Sequence, residues 1–144
     1  MSRLADIAVR VEPLPPASGL GGGVAAILTE LVGLLERLAN GAQSAMIDLR
    51  SLPMSPIDRA ELQRVLGEGE VQATVDAEGI SRIRETRISG LWWVEHRDRQ
   101  GELIAESIEV ARVPEILASA ADEIAAGIRA LRVQISAAAG VRAC

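Results

Sequence analysis

Several residue types are absent from this sequence or nearly so. It contains no phenylalanine, tyrosine or lysine, and Trp92 and Trp93 supply its only large aromatic rings. Hydrophobic residues nevertheless make up 49% of the chain, so the sequence predicts a core of Ala, Val, Ile and Leu. The formal net charge is −5, and neither a basic run nor an aromatic platform is present. Nucleic-acid binding is therefore not expected.

Cysteine and histidine are also scarce. Cys144, the last residue, is the only cysteine, and His96 is the only histidine. No internal disulfide can form, and a metal site would have to combine His96 with carboxylates such as Glu95 or Asp98 and the distant Cys144. No serine lies in a GxSxG motif. We therefore expect neither a metal nor a cofactor, and no enzymatic activity.

The chain also has few long hydrophobic runs. The start, MSRLADIAVRVEPLPP, has no apolar stretch of the length found in signal peptides. The most hydrophobic segment, GLGGGVAAILTELVGLLERL, is interrupted by Glu30 and Glu36. These features predict a cytoplasmic protein without membrane insertion.

Proline, glycine and apolar periodicity divide the chain. Residues 1–23 are rich in Pro and Gly and predict a flexible N-terminal arm. From Val24 apolar residues recur every three or four positions, as in an amphipathic helix ending near Asn40. A second helix is predicted after Ser55, which can cap it, with Asp58 at the reciprocal capping position.

Alternating segments predict a sheet in the middle of the chain. The segments beginning at Val71, ISRIRETRI, LWWVEHRD and ELIAESIEVARV are joined by short turns, which is typical of antiparallel hairpins. Residues 45–49 could add one strand. A helical tail follows Pro114, and because Ser119 with Asp122 repeats the capping spacing, this tail could be two helices that meet near Ser119. We predict an α+β fold: an antiparallel four-stranded β-meander packed against amphipathic α-helices, as a single domain over residues 24–139 with a C-terminal tail at 140–144.

Four strings occur in a characteristic order: IDLRSLPMSP, LGEGEV, IRETRISGLWWVEHRD and IEVARVPEIL. Together they cover roughly residues 46–117. In this combination the sequence resembles the HupH/HyaF family of [NiFe]-hydrogenase expression/formation proteins.

The resemblance implies a non-catalytic accessory or chaperone role in hydrogenase maturation. The implied partner is the iron-sulfur small subunit before its export by the twin-arginine route, either its precursor or its leader peptide. Many family members are longer and carry two related units, whereas this chain has room for one, so a homodimer would restore the pair. The alternatives are a scaffold homodimer without its own client, held by sheet edges or aliphatic helices, and a metal carrier.

Adjacent positions on a strand point to opposite faces of a sheet. Of the two indoles, one is therefore expected in the core and the other on the opposite face, either covered or exposed as an anchor for a partner. Charged residues flank both on neighbouring strands, either as a solvated face or as the polar rim of a recognition surface. The candidate partner-binding residues are Trp92, Trp93, Arg84, Glu85, Arg87, Glu95 and His96.

Overall fold

The computed structural model describes residues 19–142, in two compact units that divide between Ala111 and Arg112. The elements of the first unit are α1 (Gly22–Ala39), β1 (Ala45–Asp48), α2 (Pro56–Leu66), β2 (Gln72–Asp76), β3 (Ile80–Glu85), β4 (Leu91–Arg97) and β5 (Leu103–Val110). The second unit contains a 3-10 turn (Glu115–Leu117) and α3 (Ala121–Arg142).

The sheet has five antiparallel strands in the order β1-β5-β4-β3-β2. Strands β2 to β5 form the predicted meander, and β1 pairs with β5 at the edge, with Ile47 opposite Ile108. The α+β prediction, including the additional strand near residues 45–49, is confirmed.

One face of the sheet forms the main core with α1 and α2. Because residues paired across antiparallel strands share a face, Trp93, Ile108 and Ile47 lie together on it. The buried members of this core are Val24, Ile27, Leu31, Ile47, Leu49, Leu62, Leu66, Leu91, Trp93, Ile108 and Val110. Apart from Trp93 they are all aliphatic, as the composition predicted.

Local signals fix the two helices of this unit. Helix α1 ends at Ala39 with Asn40 as its C-cap, as predicted. At the start of α2, the Ser55 hydroxyl accepts a hydrogen bond from the Asp58 N–H (3.1 Å), and the Asp58 carboxylate accepts one from the Ser55 N–H (3.2 Å). The predicted capping box is confirmed.

For the indole on the outer face, the sequence left two outcomes open, covered or exposed, and the structure shows it covered. Both tryptophans are buried, with exposed fractions of 6% for Trp92 and 3% for Trp93. Trp92 lies on the face opposite Trp93, and its indole N–H donates to the Ala111 carbonyl (3.0 Å). Ile83 and Val94, paired across β3 and β4, are also buried on the Trp92 face. Both faces of the central strands are therefore covered at this point.

The second unit begins with the 3-10 turn and continues as one helix. The sequence placed the cap of this helix at Ser119 with Asp122, but the Glu123 carboxylate accepts from the N–H of Ala120 (2.9 Å), one residue later. The helix also includes residues 140–142, which the sequence assigned to the tail. Most of the predicted N-terminal arm lies outside the described residues, but Gly22 and Gly23, which the sequence assigned to the arm, form the start of α1. The domain limits of 24 and 139 stay predictions.

Candidate functional site

The carboxylate of Glu106 is buried on the sheet face that packs against α1 and α2. The Glu106 side chain on β5 accepts a hydrogen bond from the Arg59 guanidinium of α2 and another from the Trp93 indole N–H (3.3 Å). Burial raises the pKa of Glu106 above its usual range, and the hydrogen bonds and charge of Arg59 oppose this effect only in part. Glu95, paired with Glu106 across β4 and β5, raises the pKa further.

The sequence reasoning missed Arg59 and Glu106, although a signal for each was present. Glu106 lies two residues before Ile108 on β5 and therefore points to the core face. Arg59, Leu62 and Leu66 follow one another along α2 at intervals of three and four residues, so Arg59 belongs to the inward stripe of this helix. A charged residue of each sign at inward positions predicts an ion pair, here between a buried Glu106 carboxylate and an Arg59 side chain that is 38% exposed.

An open groove lies beside this pair, on the same face of the sheet. Arg84 on β3 lies 3.2 Å from a Glu68 carboxylate oxygen and 3.9 Å from one of Glu95. The groove has a volume of about 600 Å³ and is lined by Glu68, Gln72, Ala73, Thr74, Arg82, Arg84 and Glu95. Both signs of charge and uncharged donors and acceptors are thus available within it.

The LGEGEV string places Glu68 at the groove. After α2, the Gly69 N–H donates to the Glu85 carbonyl (2.8 Å), and the Arg87 N–H donates to the Leu66 carbonyl (2.9 Å). A Cβ atom on Gly69 would lie 2.5 Å from the Thr86 carbonyl oxygen. Only glycine allows the loop to approach the end of β3 this closely.

The seven predicted residues do not form one surface. Arg84, Trp93 and Glu95 lie on the groove face, whereas Glu85, Trp92 and His96 lie on the opposite face. Arg87 comes after the end of β3 in the chain, and its side chain lies against Gly67. The only ion pair within the predicted set joins Arg84 and Glu95. Whether these residues contact a partner stays a prediction, but neither indole offers an exposed anchor.

His96 belongs to a second depression. Its Nδ1 atom lies 2.6 Å from the Ser81 hydroxyl, on the face opposite the groove. The depression has a volume of about 590 Å³, and Met46, Asp48, Arg50 and Ser51 line it together with His96 and part of β5. Among residues 19–142, no group of three or more His, Cys, Asp or Glu side chains is arranged to hold a metal ion.

The fold and the ordered strings can be compared with known proteins. Residues 23–138 match the family described as the C-terminal conserved region of HupH hydrogenase expression proteins. The chain belongs to this family. The solved structure of the hydrogenase expression protein HupH from Thiobacillus denitrificans ATCC 25259 is 36% identical and has a TM-score of 0.77, over 81% of this chain and 97% of that chain.

Two curated relatives extend the comparison. The hydrogenase expression/formation protein HoxQ of Azotobacter vinelandii is 39% identical over 60% of this chain and 32% of its own length. The hydrogenase-1 operon protein HyaF of Escherichia coli (strain K12) is 32% identical over 76% of this chain and 38% of its own length. The HupH-family chain therefore spans about a third of these relatives, and the resemblance first seen in its four strings is confirmed.

Proposed function

We propose that this chain is an accessory protein for hydrogenase formation that binds an immature small subunit, by its twin-arginine leader. Membership of the HupH family carries the first part of the proposal, since the relatives are named for hydrogenase expression and formation. The groove beside α2 supports the second part because it offers carboxylates to a basic segment.

Glu68 is the groove residue best placed to receive a leader arginine. Its side chain is 69% exposed, and its partner Arg84 contacts it through one guanidinium nitrogen at 3.2 Å. A leader guanidinium can replace Arg84 at this carboxylate, since a single exposed ion pair contributes about 0 to 1 kcal/mol. Glu95 then remains to hold Arg84.

Because both indoles are buried, the apolar part of a leader cannot use an exposed tryptophan and needs a different contact. Trp93 borders a small cavity of about 80 Å³ that Glu68 and Arg84 also line.

The proposed role is binding and not catalysis. Glu106, the carboxylate with the raised pKa, is buried and held by Arg59 and Trp93.

Co-purification with the small-subunit precursor tests the binding mode. We expect the full chain to capture the precursor, to lose it when the leader is removed, and to capture it less well after Glu68→Gln. Glu61→Gln is the matched control, because Glu61 pairs with Arg64 on α2 and does not line the groove. Equal capture of leaderless and complete precursor would refute leader binding.

Deletion of the gene tests the broader role. We expect the strain to accumulate unprocessed small subunit and to lose hydrogenase activity, with recovery when the gene is restored. Normal processing and activity in the deletion strain would exclude a role in hydrogenase formation. Recovery with the Glu68→Gln variant would retain that role and exclude an essential contact at Glu68.

A further inference from the structure

Helix α3 carries an apolar stripe that nothing in its own unit covers. Ile124, Ile128, Leu131 and Ile135 have exposed fractions between 49% and 61%, and no residue of the helix is buried. We propose that α3 pairs in antiparallel orientation with α3 of a second copy of this chain. This goes beyond the proposed function, because the groove lies in the other unit.

The spacing of the stripe is that of a helix-pairing seam. Steps of four, three and four residues separate its members, and Ala121 and Ala138 extend the same pattern by three residues at each end. Such a 3-4 repeat keeps one narrow face towards a partner helix over residues 121–138 of α3. A helix packed on a broad sheet or core typically shows a wider apolar face.

The stability of α3 also requires a partner. Isolated helices are marginal in water, and most helices in proteins are stabilised by packing of an apolar face. α3 contains Gly127 and Gly140, which lower helix propensity, and lacks buried residues. Pairing along the seam would supply the missing packing.

A membrane is the competing occupant of this surface. The segment Glu115–Arg142 is long and apolar enough to cross a bilayer by length and composition, the only such segment among residues 19–142. Arg129 and Arg132, however, would then lie near the middle of the hydrocarbon layer, where guanidinium groups are strongly disfavoured. In a helix pair both arginines lie outside the seam and stay in water.

Acidic residues and helix dipoles favour antiparallel over parallel pairing of the two helices. The first turn of α3 carries Asp122 and Glu123, whereas Arg129, Arg132 and Arg142 lie further along the helix. Antiparallel pairing keeps the acidic first turns of the two copies at opposite ends of the pair, and it also opposes the two helix dipoles favourably. Parallel pairing in register would set the acidic first turns of the two copies side by side.

The same orientation makes the seam complementary to itself. With the two-fold axis midway between Ile128 and Leu131, each Ile128 meets the Leu131 of the other copy, and each Ile124 meets Ile135. Such an isologous contact closes after two copies. The structure thus assigns α3 as a dimer interface.

Light scattering and sedimentation of the full chain test the interface. We expect the wild type to be a dimer and the Ile128→Asp/Leu131→Asp variant to be a monomer. Val133→Asp is the matched control: Val133 is 68% exposed but lies on the opposite side of α3, so this variant should remain a dimer. The fluorescence of Trp92 and Trp93, both in the first unit, reports whether each variant keeps its fold.

A monomeric wild type, a double variant that stays dimeric, or equal loss of the dimer in Val133→Asp would each overturn the proposal. Binding of the wild type to neutral phospholipid vesicles with loss of the dimer would assign the surface to a membrane instead.

Cross-linking tests the orientation in a Cys144→Ser background. Antiparallel pairing brings residue 124 next to residue 135 of the other copy and keeps the two copies of residue 124 about 16 Å apart along the axis. Ile124→Cys and Ile135→Cys chains should therefore form a disulfide when mixed and not when oxidised separately. Cross-linking of Ile124→Cys alone would show parallel pairing and overturn the proposed orientation.

Discussion

Burial of the Glu106 carboxylate raises its pKa because the loss of water outweighs the hydrogen bonds and charge of Arg59 that favour the ionised form. The folded chain therefore binds the Glu106 proton more tightly than the unfolded chain, whose carboxyl titrates near 4.5. Protonation of this residue favours folding at low pH, and that contribution is lost as the pH rises through the raised pKa of the folded state.

The Glu106→Gln variant should make this coupling measurable. Glutamine does not titrate, so the free energy of unfolding of the wild type minus that of the variant should be largest at about pH 4 and should decrease towards pH 8. Urea unfolding at a series of pH values checks it. A difference that stays constant or increases with pH would contradict the raised pKa.

Gly69 gives a second prediction for a single residue. A methyl group on Gly69 would lie 2.5 Å from the Thr86 carbonyl oxygen, so the loop after α2 must shift. We expect Gly69→Ala to lower the free energy of unfolding by about 1 to 3 kcal/mol, as over-packing does. Gly33→Ala in α1 is the control, because its methyl group meets nothing within 4 Å and should stabilise the helix by about 0.5 to 1 kcal/mol. Equal effects in urea unfolding would remove the steric explanation for the LGEGEV string.

Single residues also show the limits of sequence reasoning. The two-residue period of a strand correctly places Trp92 and Trp93 on opposite faces. It cannot say what covers each face, and both indoles are buried. The same period places Glu106 on the core face, so its burial could have been predicted. Its partners Arg59 and Trp93 are 47 and 13 residues away and depend on the tertiary fold.

At the scale of elements, the helix caps are a direct test of local structure. Ser55 caps α2, whereas α3 is capped by Glu123 acting on Ala120 and not by Ser119. Ser55→Ala should therefore lower the free energy of unfolding by about 0.5 to 2 kcal/mol. Ser119→Ala should change it little. Thermal or urea unfolding of both variants checks this, and a larger loss from Ser119→Ala would contradict the cap position.

Elements defined by local signals were predicted well. The C-terminal end of α1, the capping box of α2 and the turns of the meander follow from nearby Gly, Asn, Pro, Ser and Asp residues, whereas α1 begins at Gly22, two residues before the predicted start. The pairing of β1 with β5 joins residues about 60 positions apart, so the sequence could offer β1 only as an additional strand. At the start of α3 the carboxylate that accepts a backbone hydrogen bond is that of Glu123, from the Ala120 N–H, and not that of Asp122, which the Ser119 spacing predicted.

At the scale of the whole molecule, the groove could not be predicted because its walls come from distant segments. The loop after α2 supplies Glu68, and β2, β3 and β4 supply the remaining lining residues. The ordered strings nevertheless identified the family, since they include the LGEGEV loop and the β3–β4 hairpin. Three of the groove residues, Glu68, Arg84 and Glu95, lie within these strings.

High salt should affect the two proposed associations, precursor capture at Glu68 and pairing of α3, in opposite ways. Precursor capture at Glu68 depends on exposed charges, so it should weaken when salt is raised from about 0.1 M to about 1 M and the Debye length falls from about 10 Å to about 3 Å. Pairing of α3 depends on apolar contact between two copies that each carry a net charge of −5. Screening reduces the repulsion between the copies, so the dimer should persist or tighten.

Precursor retained on the immobilised chain and the mass from light scattering measure the two responses under the same conditions. Capture that is insensitive to salt would exclude the Glu68 contact while leaving the accessory role open. A dimer that dissociates at high salt would show that charges, and not the Ile and Leu seam, hold the copies together. Opposite responses are expected because the groove binds through carboxylates in water, whereas the seam removes aliphatic side chains from water.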